Sequence, residues 1–233
     1  MGLYDRNYQA QGLENAQYGA FESESALVGF VKTTYKFFAA SLLLATIGAL
    51  MGFMYIEVVM NTSVFIGLIV AEVAALLGLL FLRSSPGLNV VMLFVFTFLT
   101  GVTLVPSLGL VISKQGISAV WQALGMTTIV FAGMSIFALK TKADLSNYGK
   151  TLFIALIVII VCSIINILFL HSSPFSALIS GAAVMLFSFY VAYDTQNIVR
   201  GLYTSPVQAA VALYLDFLNI FVHLLNLLGM NDD

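Results

Sequence analysis

Seven apolar runs occupy most of this 233-residue chain. Each approaches or exceeds the ~20 residues a helix needs to cross a bilayer core of ~30 Å. They cover 35–56, 63–82, 88–112, 117–139, 151–170, 175–199 and 207–229. Composition agrees: 61% of residues are hydrophobic and 9% charged, against about 45–50% and about 25% in soluble domains. Mean hydropathy is +1.02. The expected fold class is an all-α integral membrane protein, a seven-transmembrane-helix bundle. The net charge of −2 offers no footprint for nucleic acid. A single cysteine, Cys162, excludes an internal disulfide and gives no zinc cluster.

Connections between the runs are short, so 29–233 reads as one transmembrane domain behind a polar tail, 1–28. That tail carries Asp5, Arg6, Glu14, Glu22 and Glu24, and lacks the basic-then-apolar order of a signal peptide. Three of the four prolines follow serine: Ser85-Pro86, Ser173-Pro174 and Ser205-Pro206. Serine caps free N–H groups at a helix start, and proline at the next position has none to leave unpaired. The pairs are expected to open the third, sixth and seventh helices. Pro106 falls inside the third run and should kink or break it. FLRSSP (81–86) and FLHSSP (169–174) match at five of six places. They read either as paired stop-and-start signals or as the mark of an inverted repeat.

Basic residues set the orientation. With the N-terminus inside, the inner side collects Lys32, Lys36, Arg83, Lys140, Lys142, Lys150 and Arg200, and the outer side only Lys114. That arrangement predicts a cytoplasmic N-terminus and an external C-terminus.

Two aspartates interrupt the last two runs. Asp194 lies near the inner end of the sixth. Asp216 lies about 15 Å into the seventh at ~1.5 Å per residue. An aspartate at that depth costs about 2.5–3.5 kcal/mol and nearly always turns inward to a partner. Asn219, His223 and Asn226 follow Asp216 within one arc of roughly 80° at ~100° per residue. The seventh helix should therefore sit inside the bundle, with this stripe against its neighbours. Tyr190, Asp194 and Asn197 share a face of the sixth helix. Gly181, Ala182 and Ala183, earlier in that helix, would allow a neighbour to come close. The second helix adds Glu72 at middle depth and Arg83 at the inner end. Two carboxylates pressed together in a low dielectric share a proton, which brings their titration towards neutral pH. A nearby arginine would be held by the ionised pair and released on protonation. Ionised, the oxygens of Asp194 and Asp216 are also hard ligands suited to calcium. The plainer alternative is a hydrogen-bonded staple between two helices.

VAYDTQNI (191–198) followed by ALYLDFLNIFVHLLNLLG (212–229) resembles the Bax inhibitor family, specifically its small bacterial branch. The match is sharp over the last two helices and loose elsewhere. The resemblance implies a central seventh helix wrapped by the other six. It implies a pH-sensitive calcium leak with Asp194 and Asp216 as proton sensor, and with Arg83 and Glu72 as latch and pathway. Tyr190, Asn197, Asn219 and His223 would support the site. No cofactor is implied, because calcium is the transported ion; the expected partners are calcium, protons and the lipid bilayer. The chain departs from eukaryotic members in ending Asn231-Asp232-Asp233 rather than in a basic tail, so roles of that tail do not carry over.

Other readings compete. In a presenilin-like aspartyl protease an aspartate follows tyrosine, as Asp194 follows Tyr193, but Tyr214-Leu215 stands where Gly-x-Gly would precede Asp216. A rhomboid-like protease would need a Gly-x-Ser frame that Ser180 lacks. Neither supports an enzyme. A non-transporting regulator that binds a membrane protein, such as a quality-control protease, is the remaining alternative.

Overall fold

The computed structural model describes residues 24–82, 85 and 87–230. The expected latch residue Arg83, Pro86 and most of the polar tail therefore lie outside the described residues. The elements are α1 (Glu24–Met54), α2 (Ile56–Val59), α3 (Thr62–Phe81), α4 (Leu88–Thr103), α5 (Val105–Gln115), α6 (Ile117–Lys140), α7 (Gly149–Ile165), α8 (Ser173–Val199) and α9 (Pro206–Gly229). A 3-10 turn, Leu145–Tyr148, leads into α7, and a π turn, Asn166–Leu170, ends it. No strand occurs among the described residues. Seven spans are long and apolar enough to cross a membrane: α1, α3, α4 with α5, α6, α7 with its flanking turns, α8 and α9.

Helix starts follow local chemistry. Ser205 caps α9 by accepting from Val207 N at 3.2 Å, with Pro206 in the first turn. At α8 the cap is Ser172, one residue earlier than the Ser-Pro pair suggests; its hydroxyl accepts from Phe175 N at 3.4 Å. The pair at 85–86 does not open α4. Gly87, at φ 89°, precedes that helix and supplies no side-chain cap. Pro106 acts as expected. It lacks an N–H for the preceding turn, and the third span breaks at Leu104 into α4 and α5.

α9 is the packing centre. It lies against α8, α6, α1 and both halves of the third span. The second and fifth spans, α3 and α7, pack chiefly on α4 and α8. The wrap around α9 is therefore mainly four helices rather than six, with α3 and α7 at the rim. α7 is the most lipid-exposed span, with 6% of its apolar window buried. The tightest helix pair is α1 on α4. A Cβ added at Gly48 would strike the carbonyl of Phe98, and one at Gly101 the carbonyl of Ala45. Two glycines here let backbones touch, the usual route to close packing where lipid removes the hydrophobic drive. Gly181 plays no such part: space around it is open, Ala182 is exposed, and only Ala183 is buried.

Candidate functional site: a buried aspartate pair between α8 and α9

Asp194 sits five residues before the end of α8, and Asp216 ten residues after the start of α9. The two helices pack together, and their carboxyl groups face one another closely enough to interact. Both are nearly sealed, at 5% and 3% exposure. Asp194 Oδ1 accepts from the Tyr203 hydroxyl at 2.7 Å. Asp216 Oδ2 is buried without a hydrogen-bond partner among the described residues. No ion pair to either aspartate occurs among the described residues.

Tyr203 is the functional neighbour that sequence reading missed. It lies in the loop between α8 and α9. Gly201, at φ 68°, takes the left-handed position that closes α8. Leu202 N then donates to Asn197 O at 2.9 Å and Gly201 N to Ile198 O at 3.1 Å, the paired bonds of a Schellman ending. This reversal brings Tyr203 back under Asp194. Burial and the adjacent aspartates push the Tyr203 phenol well above its ordinary range, so the hydroxyl stays protonated and remains a donor. Its ring also lines a cleft of about 280 Å³ between α3 and α9. Leu76 and Leu79 of α3 line the same cleft, with Asn89 and Gln208 as its polar members. Tyr203 therefore stands between this cleft and the acid pair.

The other expected residues separate into two groups. Tyr190 is half-buried in an aromatic set with Phe187 and Tyr193, centroids 5.8 and 6.4 Å away, within electrostatic reach of both aspartates. Asn197 is buried at 6% exposure and its Oδ1 has no partner among the described residues. Asn219 does not bridge helices; its amide donates back to Leu215 O at 2.7 Å. His223 Nδ1 meets Ser180 Oγ at 3.3 Å, and Asn226 Nδ2 donates to the same oxygen at 2.9 Å. Glu72 stands apart from the pair. It accepts from Thr103 Oγ1 at 2.6 Å and lies near Thr100 and Tyr214. It thus ties α3 to the last residue of α4, at the break that Pro106 makes.

The loop between α6 and α7 is fastened to the same end of α8. Gln196 accepts from Leu145 N at 2.7 Å and donates to Ala143 O at 2.9 Å. Arg200 pairs with Asp144. Asp144 is held below the usual carboxylate range by the Ser146 hydroxyl and N–H, with Arg200 adding to the effect. On the opposite side Thr195 shares a hydrogen bond with Ser135 of α6 at 3.2 Å, with Tyr35 of α1 beside both. Residues 193–196 thus anchor a loop and a neighbouring helix as well as carrying the acid.

Chemically, ionised Asp194 and Asp216 would offer at most four of the 6–8 oxygens that calcium takes. Among the described residues no group of three His, Cys, Asp or Glu side chains could hold a metal ion. Two sealed carboxylates with one donor between them can exchange a proton.

These features define a polytopic all-helical membrane protein built around a buried acid pair. The family profile described as inhibitor of apoptosis-promoting Bax1 matches residues 27–233, and the chain belongs to that family, the Bax inhibitor family. It is 59% identical to an uncharacterized protein of Helicobacter pylori (strain ATCC 700392 / 26695) over 100% of this chain and 99% of the relative. A Campylobacter jejuni protein is 46% identical, covering 98% and 97%. An uncharacterized membrane protein of Vibrio cholerae is 38% identical over 70% of this chain and 74% of its own length.

Proposed function

We propose that this protein is a proton-responsive calcium leak of the bacterial inner membrane, with its N-terminus in the cytoplasm. The observation that carries the reading is the sealed Asp194–Asp216 pair, with one oxygen unpartnered among the described residues. Two ionised carboxylates facing one another in a low dielectric repel strongly. That repulsion favours one shared proton over two charges. Losing or gaining the second proton changes the net charge between α8 and α9 by one unit. Arg83, which follows α3, is assigned as the latch: the ionised pair holds it and the protonated pair lets it go. The cleft beneath Tyr203 supports an inner approach to the pair, since it borders α3 just before Arg83. Glu72 is assigned to the ion path at middle depth. Its half-buried carboxylate beside the Leu104 break supports that role, because broken helices free backbone oxygens where ions pass. The basic residues that gather at one end support the orientation.

Calcium flux into liposomes carrying the purified protein tests the reading. Flux should vary between about pH 6 and pH 8, because a shared proton draws carboxylate titration towards neutral pH, and Asp216→Asn should flatten the profile. Flux no greater than that of empty liposomes at every pH would turn the assignment towards a non-transporting regulator of another membrane protein.

A further inference from the structure

The molecule contains a second cavity, on the side of α9 turned away from Asp216. α1 and α6 both pack on α9. They meet each other through Phe38 and Phe131, stacked at 5.2 Å, with Phe217 of α9 closing the cluster at 6.0 and 5.8 Å. Beyond this aromatic plug, towards the end that carries Trp121, the two helices enclose a cleft of about 340 Å³. Its wall on α1 runs from Leu42 to Phe53, its far wall includes Trp121 of α6, and its floor is Tyr214, Phe217 and Phe221 of α9.

Three features identify what fits. The lining is almost wholly apolar, so a polar ligand would leave its own groups unpaired. The cleft runs into the exposed apolar flank of both walls, with Leu50 61% and Trp121 68% exposed, so it is continuous with the surface that lipid covers. Its dimensions match one carbon chain. From Leu42 to Phe53 is eleven residue steps along α1, about 16 Å at ~1.5 Å per residue, close to half of a ~30 Å hydrocarbon core. Dividing volume by length gives a cross-section of about 20 Å². A chain whose neighbours sit about 4 Å away on every side needs roughly 16 Å², and two chains would need twice that.

We propose that this cleft is a binding site for a single acyl chain of a membrane lipid, from the leaflet at the Trp121 end. The plug of Phe38, Phe131 and Phe217 closes the inner end of the cleft and stops the chain there. The seated chain lies against Leu104, at the break in the third span, and against Tyr214, whose ring edge packs on Phe96 at 5.9 Å. It fills space in the central helix packing that no side chain of the protein occupies.

The test is photo-crosslinking of the full chain in phosphatidylglycerol–phosphatidylethanolamine vesicles containing a lipid with a diazirine on its acyl chain. Adducts are then located by mass spectrometry. The expected result is labelling of the α9 floor, at Phe217, Leu218 and Phe221, besides the outward residues Leu43 and Ile129. Ala49→Phe and Leu124→Phe each add bulk from opposite walls. Either variant should reduce floor labelling several-fold and leave Leu43 and Ile129 labelled as before. Labelling confined to outward residues would overturn the acyl-chain site.

Discussion

The α8–α9 interface carries polar groups along both halves, and the two halves are built differently. At the Lys114 end, Ser180 Oγ receives Asn226 and meets His223, and Ser176 lies 3.5 Å from the same asparagine. Each polar group there has a neutral partner. At the Arg200 end, Asp194 and Asp216 have only each other and Tyr203, and one carboxylate oxygen has no partner among the described residues. A satisfied cluster holds two helices in one arrangement. An under-satisfied pair of acids, on our reading, can gain or lose a proton. One interface thus holds a staple and, on our reading, a switch.

The comparison is sharpest in the variants that should do most. Asp194→Asn and Asp216→Asn should each abolish most of the pH dependence of calcium flux, because an amide cannot take part in the shared proton. Tyr203→Phe should have the next effect. It keeps the ring in the cleft and removes a charge-assisted hydrogen bond of about 1.5–3 kcal/mol. The ionised form loses a donor, so the midpoint of the flux profile should move up by about one to two pH units, as 1.36 kcal/mol is one unit. An unchanged midpoint would remove Tyr203 from the site.

Ser180→Ala should act on the staple alone. Interhelical hydrogen bonds in membranes are worth about 0.6 kcal/mol on average and up to about 1.7. A small loss of thermal stability in detergent is expected, with the pH profile of flux intact. A flattened profile in this variant would erase the distinction between the halves. Asp144→Asn should be the mildest. The Asp144 carboxyl is held below its ordinary 3.8, so the loop attachment is complete above that value and is lost only as pH falls through the lower, folded one. Flux at neutral pH should be unchanged, while amide exchange in the loop 141–148 quickens.

Much of this was legible in the sequence. The seven spans follow from run length and hydropathy, and the break at Pro106 from a missing N–H. Asp194 and Asp216 were visible as charges in oil, and the arc through His223 and Asn226 placed the stripe on α9. The partners in the half at the Lys114 end were also within reach. At ~100° per residue, Ser176 and Ser180 share the face of α8 that carries Asp194. What could not be read depends on where distant segments fold. The reversal at Gly201 decides that Tyr203 reaches Asp194, and the register of α1 on α4 decides that Gly48 and Gly101, rather than Gly181, allow close approach. The first Ser-Pro pair misled because Gly87, with positive φ, precedes α4 in its place. Asn219 misled because its amide found a carbonyl on its own helix.

The most direct test of the central claim is an infrared titration of the protein in lipid, following the carbonyl band of protonated carboxyl groups across about pH 6 to pH 8, the range over which flux is followed. The account predicts a band that grows as pH falls, in step with the change in flux, and that is missing from that range in both Asp194→Asn and Asp216→Asn. A band that titrates identically in wild type and both variants would contradict it.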